Sequence, residues 1–252
     1  MQDMMYLLHP MNTLNDDAQT FTIDQGTFHA SPTGDNKMFF NLSQLKKFYD
    51  NDFAATIAHY LTPESVVADI GANIGEFSVA IARHAKKVYA FEPVTRSRTL
   101  LEKNTAPYPT VEIIACALGN KEGAVSLTPD SESNSGTYRV TGKGSIPMRT
   151  LDSFTIKPDF IKIDVQGLEV QVLQGAVKSI QENKPIILFE ISDLTFKYGG
   201  ILSLPKILRD YKLLFFPNLK KVLLPILYIE LSVRHYLKRP RHYDILATPI
   251  TK

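Results

Sequence analysis

The sequence predicts an α/β fold, a doubly wound and mostly parallel sheet with helices on both faces. Three observations carry this. Residues 66–75 read Val-Val-Ala-Asp-Ile-Gly-Ala-Asn-Ile-Gly, an apolar strand run ending in a carboxylate, then a glycine turn, then the start of an amphipathic helix. From Ser65 onward, strand-like and helix-like segments alternate. Carboxylates recur at the ends of the apolar runs, where ligands bind in an open parallel sheet.

The elements follow in order. Residues 1–60 lack the α/β rhythm and are read as an N-terminal cap belonging to the same domain. Within them Phe21–Ala30 alternates as a strand, Ser31–Asn36 forms a turn, and Leu42, Leu45, Phe48, Phe53, Ile57 and Tyr60 have helical spacing, broken near Asp50–Asp52. Strand Val66–Ile70 precedes helix Gly75–His84, and strand Lys87–Phe91 precedes helix Thr95–Asn104. Val111–Ala115 is a third strand. Ala124–Leu127, Tyr138–Thr141 and Ser145–Arg149 are short antiparallel pieces around a polar loop, Pro129–Gly136. Strand Phe160–Val165, helix Glu169–Gln181 and strand Ile186–Ile191 come next. Helix Leu204–Arg209, strand Tyr211–Phe216, a helix near Lys221–Tyr236 and strand Tyr243–Thr248 close the chain. Residues 61–252 form the main body, with an insertion at about 217–241.

Composition sets the outer limits. The 252 residues are 44% hydrophobic and 21% charged, which favours a folded core over disorder. The one cysteine, Cys116, has no internal disulfide partner and points to a reducing, cytoplasmic setting. No basic region followed by an apolar core opens the chain, and Val222–Val233 falls short of the about 20 apolar residues that span a bilayer. Charge is uneven. Residues 206–241 hold nine Lys/Arg against two Asp/Glu, while the rest of the chain is mildly acidic. That segment is read as a solvated helical face or lid. The sharper alternative is peripheral contact with an anionic membrane face or a lipid-linked glycan.

Asp69, Glu92, Cys116, Asp164 and Glu190 stand at successive strand ends. Gly71 and Gly75 allow a tight turn and a close approach to a ligand. A pyrophosphate loop wants Gly-x-Gly-x-x-Gly, yet Asn73 and Glu76 take the second and third glycine positions. Asp69 and Glu76 would repel a pyrophosphate, so a cationic ligand suits the loop better than a nicotinamide dinucleotide. S-adenosylmethionine, with a sulfonium, an ammonium and no phosphate, meets that requirement. Glu92 is placed to accept hydrogen bonds from both ribose hydroxyls. Asp164 lies in Ile-Asp-Val-Gln-Gly, without the prolines usual at this place in base N-methylating enzymes. It is set to orient or deprotonate a hydroxyl or hold a divalent cation, or else to cap the following helix. Glu169 opens a helix, where the dipole favours a carboxylate in a structural role.

At these residues the chain resembles the FkbM family of S-adenosylmethionine-dependent methyltransferases. The matching pieces are Asp69-Ile-Gly-Ala-Asn-Ile-Gly75, Phe91-Glu-Pro93, Asn134-Ser-Gly136, Thr150-Leu-Asp-Ser153, Ile161-Lys-Ile-Asp-Val-Gln-Gly-Leu-Glu169, Leu173-Gln-Gly-Ala176 and Phe189-Glu190. They run in family order from about residue 65 to 191, and Tyr243–Pro249 is similar to the family's closing strand. The resemblance implies a class I methyltransferase (Rossmann-like) sheet of seven strands with the last antiparallel. With the residue reading it gives expected donor contacts at Asp69, Gly71, Ala72, Asn73, Gly75, Glu92, Cys116, Ala117 and Asp164. It also implies methylation of hydroxyls on natural products or on sugars of surface glycans. One departure is Gln166, where the family usually has Glu in Asp-x-Glu-Gly, so a metal or base role for that position is lost here.

Asp164 is the expected base, with Glu190 in support, and His29, His59, His235 and His242 are alternatives. A small-molecule or glycan hydroxyl is the expected acceptor, DNA is not expected as a partner, and a divalent metal is left open. Two other readings stand: a donor-binding but inactive interaction protein, motivated by Gln166, and an RNA methyltransferase using the basic 206–241 segment. The N-terminal cap and residues 192–242 are expected to choose the acceptor.

Overall fold

The computed structural model describes residues 18–23, 26–32, 39, 42–43, 56–131, 134–192, 195, 201–215, 220–221 and 242–250. Its first elements form a hairpin, β1 (Gln19–Ile23) and β2 (Gly26–Ala30). The single strand expected over Phe21–Ala30 is therefore folded back on itself. The alternation holds within each arm but changes phase between Ile23 and Phe28, and Gly26, at φ 124°, stands at the return. Phe21, Ile23, Phe28 and Ala30 point inward against Ile74, Val79 and Leu100.

The main sheet is built from β3 (Val66–Ile70), β4 (Lys87–Phe91) and β5 (Val111–Ile114), then β10 (Phe160–Ile163), β11 (Ile186–Ser192), β12 (Tyr211–Phe215), β13 (Lys220–Lys221) and β14 (His242–Pro249). Its order is β13-β12-β14-β11-β10-β3-β4-β5. β5, β4, β3, β10 and β11 are parallel, and β14 runs antiparallel between β11 and β12. This is the seven-strand class I arrangement, with two-residue β13 as an extra edge piece. The helix expected near Lys221–Tyr236 and most of the segment 33–55 lie outside the described residues.

Apolar strands bury both faces, as a parallel sheet requires. Val67, Val88, Phe160, Leu188 and Leu246 pack one way, with Phe77 and Ile81 of α1 (Glu76–Ile81). Ala68, Ile70, Ile161, Ile163, Phe189 and Ile245 pack the other way, with Val170 and Leu173 of α3 (Glu169–Gln174) and Ile180 of α4 (Val177–Asn183). The two-residue period of a strand sorts these side chains between the layers. Each fully buried Leu, Ile, Val or Phe contributes about 1.5–3 kcal/mol.

α2 (Thr95–Thr105) covers the edge near β5 and is bolted to the N-terminal hairpin through Asn104. Its side chain accepts from the His29 N–H at 2.6 Å and donates to the carbonyls of His29 and Ile74.

The helix expected over Glu169–Gln181 is two helices. Gly175 lies so close to the Gly119 carbonyl that a Cβ would sit 2.0 Å from that oxygen. The second helix is capped from a distance, since Asp152 accepts from the N–H groups of Lys178 and Ser179 at 2.9 and 2.8 Å. A second sheet, of order β6-β9-β7-β8, rises beside β5: β6 (Ala117–Leu118), β7 (Gly123–Ser131), β8 (Asn134–Lys143) and β9 (Ile146–Arg149). The polar loop expected at Pro129–Gly136 is largely strand, and the hairpin is correspondingly longer. A short helix, α5 (Leu204–Ile207), precedes β12. Among the described residues no helix is long and apolar enough to cross a membrane.

Candidate functional site

The turn after β3 is suspended from β4. The N–H groups of Gly71 and Ala72 both donate to the Phe91 carbonyl, at 3.0 and 3.1 Å. Gly71 has φ 81°, and a Cβ there would lie 1.9 Å from the Asp164 carbonyl oxygen. Glycine is required on both counts. Asn73, at φ 49°, donates its N–H to Glu92 Oε2 at 2.9 Å, and Val94 N–H donates to Glu92 Oε1 at 2.7 Å. Arg98 Nη1 donates to the carbonyls of Glu92 and Pro93, fixing this corner from below.

A cleft of about 170 Å³ opens at the carboxyl ends of these strands. Gly71, Asn73, Glu92, Cys116, Ala117 and Asp164 line it, together with Gln166, Val94, Ser97 and Leu168. Leu127, Tyr138 and Val140 of the β7–β8 hairpin complete one wall. Asp69, Ala72 and Gly75 are buried and do not line the cleft. Glu190 also lies outside its lining.

Glu92 is 6% exposed. Burial pushes its carboxyl up to about 7, against the pull of the two N–H donors and of Lys162 and Arg98. Each oxygen holds one backbone N–H and keeps further acceptor capacity. A desolvated carboxylate short of donors in a cleft suits a ligand bearing paired hydroxyls. The residues therefore fit the ribose of a nucleoside cofactor. Cys116 is pushed up to about 11 by burial, opposed by Arg149, so it is a neutral thiol in the wall.

Beneath the turn, Asp69 is fully buried and accepts from Ser78 Oγ at 2.6 Å. Lys162, from β10, reaches up between the loops. Its Nζ donates to the Gly71 carbonyl at 3.1 Å and lies 3.4 Å from Asp69 Oδ1 and 3.8 Å from Asp164 Oδ2. Burial disfavours the ammonium, but Asp69 and Asp164 outweigh it and raise its proton affinity. Lys162 stands inside the motif Ile161–Glu169, and no sequence pattern assigns it a role. The signal was a lysine inside the apolar run Phe160–Ile163, a charge that a buried strand keeps only with partners.

Asp164 is half-exposed at the cleft, and its N–H donates to the Ile70 carbonyl at 3.0 Å. Gln166, in the left-handed region at φ 55°, donates Nε2 to Asp164 Oδ1 at 2.8 Å. Glu169 accepts from the Gly167 and Val165 N–H groups at 2.8 and 3.3 Å and from Thr195 Oγ1 at 2.7 Å. Its expected structural role thus has a concrete form: it staples the loop that carries Asp164. Glu190 is pushed up to about 9 by burial and by Asp164, Glu169 and Asp244, with Lys162 opposing. That environment favours its protonated form.

His29 binds Thr20 Oγ1 through Nδ1 on the N-terminal hairpin, and neither it nor His59 lines the cleft. His235 and the His242 side chain lie outside the described residues, as does most of the basic 206–241 segment. Among the described residues, no three His, Cys, Asp or Glu side chains gather as a metal site.

Residues 69–212, more than half of the chain, match the family model described as Methyltransferase FkbM domain. A stretch of 126 residues is 30% identical to the hexuronic acid methyltransferase AglP of Haloferax volcanii, covering 47% of this chain and 52% of AglP. Another, of 104 residues, is 36% identical to the AMB antimetabolite synthetase AmbE of Pseudomonas aeruginosa, covering 38% of this chain and 5% of that protein. The matches thus span about half of AglP and a small part of AmbE. Among solved structures, Trm5b from Pyrococcus abyssi is 14% identical with a TM-score of 0.53, covering 93% of this chain and 56% of that one. That likeness concerns the fold alone.

Proposed function

We propose a reaction from one premise: this chain belongs to the FkbM methyltransferase family. The reaction is S-adenosylmethionine-dependent O-methylation of a hydroxyl on a sugar, a surface glycan or a related natural product. The observation that carries the donor is Glu92, a desolvated carboxylate in the cleft wall with acceptor capacity to spare. The sugar assignment draws support from AglP, a relative named for hexuronic acid methylation.

The bound donor supplies an activated methyl carbon on a sulfonium, and the chain's own residues do the rest. Glu92 would hold the ribose hydroxyls, and Gly71 and Asn73 would bring the turn's backbone close to the ligand. Asp164 lines the same cleft with one oxygen oriented by Gln166. It would take the proton that the acceptor hydroxyl loses as its oxygen bonds to the methyl carbon and the carbon–sulfur bond breaks, leaving S-adenosylhomocysteine. Burial and the neighbouring carboxylates raise the proton affinity of Glu190, which favours Asp164 over it as the base. Alignment and exclusion of water supply most of the acceleration.

The test has two parts. Calorimetry of the purified full chain with S-adenosylhomocysteine is expected to give saturable binding. Incubation with methyl-labelled donor and a panel of hexuronic acids, neutral sugars and glycans is expected to give a labelled methyl ether. Absence of binding defeats the donor assignment. Binding with label transferred to RNA alone defeats the sugar assignment.

A further inference from the structure

We infer that Lys162 is a positioning residue that ties the donor turn at Gly71 to the base-bearing loop at Asp164, so that donor binding at one orders the other. This rests on the donor and base roles proposed above.

The rival account is that Lys162 only neutralises buried Asp69. The geometry shows a wider role. The ammonium is not centred on Asp69: its shortest contact is the Gly71 carbonyl at 3.1 Å, while Asp69 Oδ1 stands at 3.4 Å without a hydrogen-bond partner. A lysine has three donors on a rotatable head, and three oxygens surround this one: Gly71 O, Asp69 Oδ1 and Asp164 Oδ2. Asp164 completes the grip, since Gln166 occupies its Oδ1 and leaves Oδ2 facing the cation.

The two loops also touch directly. The Asp164 N–H donates to the Ile70 carbonyl, and the Gly71 Cα faces the Asp164 carbonyl too closely for any side chain. Movement of either loop must therefore be accommodated by the other, and Lys162 hydrogen-bonds one while pairing with the carboxylate of the other at 3.8 Å. The Lys162 side chain is 14% exposed and its ammonium lies over the face of Phe77 at 5.8 Å, so water does not screen these contacts as it would at the surface.

Removing Lys162 alone would strand Asp69 as a buried charge and threaten folding. The test therefore compares Asp69→Asn with the double variant Lys162→Met/Asp69→Asn, both as the full chain. Melting temperature shows that each is folded, and amide hydrogen exchange is read with and without S-adenosylhomocysteine. In wild type and in Asp69→Asn, the ligand is expected to slow exchange at residues 71–75 and also at 164–167. In the double variant, slowing at 71–75 is expected to persist, while slowing at 164–167 drops at least tenfold. Equal slowing at 164–167 in both variants overturns the inference and leaves the donor assignment standing. Failure of the wild-type chain to bind S-adenosylhomocysteine defeats the donor assignment, and this inference with it.

Discussion

The sheet-end wall of the cleft presents Glu92, Asp164 and the turn at Gly71, whereas the β7–β8 wall presents Leu127, Tyr138 and Val140. On the first side almost every polar atom has an assigned partner: Asn73 and Val94 for Glu92, Gln166 for Asp164, Lys162 for Gly71. On the second side the wall is mainly apolar contact, carried by the β7–β8 hairpin. Networks of buried polar groups fail when one member is lost, while apolar contact degrades in proportion to the area removed. The first wall therefore fixes chemistry and the second fixes shape, and substitutions should divide accordingly.

The largest effect is expected from Gly71→Ala against Gly142→Ala. Both residues have positive φ, but a Cβ at Gly71 meets the Asp164 carbonyl while one at Gly142 meets nothing within 4 Å. Gly71→Ala should cost about 3 kcal/mol or more, and Gly142→Ala about 1 kcal/mol from backbone strain alone. Thermal denaturation reads the gap. Equal losses would mean that the two loops do not touch as described.

Next comes Glu92→Gln. Loss of a charged acceptor should weaken S-adenosylhomocysteine about 10–100-fold at pH 8, from about 1.5–3 kcal/mol of charge-assisted hydrogen bonding. The pH dependence sharpens the test. With a folded pKa raised to about 7 from a reference of 4.5, Glu92 is protonated in the native chain over that window while ionised in the unfolded one. Its contribution to stability is full below 4.5, falls as pH rises and is gone above 7. Ligand hydroxyls donate best to the ionised form, so affinity should rise through pH 7 in wild type and stay flat in Glu92→Gln. Titration calorimetry at pH 6 and 8 decides this.

The smallest effect belongs to the hairpin. Tyr138→Ala should weaken S-adenosylhomocysteine about fivefold, near 1 kcal/mol, with little change in melting temperature. A loss as large as that of Glu92→Gln would place the hairpin on the same footing as the polar wall.

This division also explains what the sequence disclosed. β3 and β4 begin and end where their apolar runs predict, because strands buried on both faces have little freedom in composition. Glu92 followed from its place at a strand end. The long hairpin was hidden because Pro129, Ser131, Asn134 and Gly136 carry turn chemistry, and β7 and β8 are held mainly by each other and by β9. The break at Gly175 depends on Gly119, far away in sequence, and the role of Lys162 depends on Gly71, 91 residues earlier. Local pattern carries no record of such partners. The burial of Asp69 behind its own turn was unreadable for the same reason.

β14 occupies an interior slot, hydrogen-bonded to β11 on one side and β12 on the other. Synthesis must therefore reach residue 249 before the two halves of the sheet can join. Until then β11 presents an apolar, unpaired edge, the kind of surface on which chains cross-associate. A nascent chain stalled before β14 would carry its Asp69, Glu92 and Asp164 segments complete in sequence yet lack the strand that seals the sheet beside them. Assembly order thus makes β14 a checkpoint for a site encoded mostly upstream.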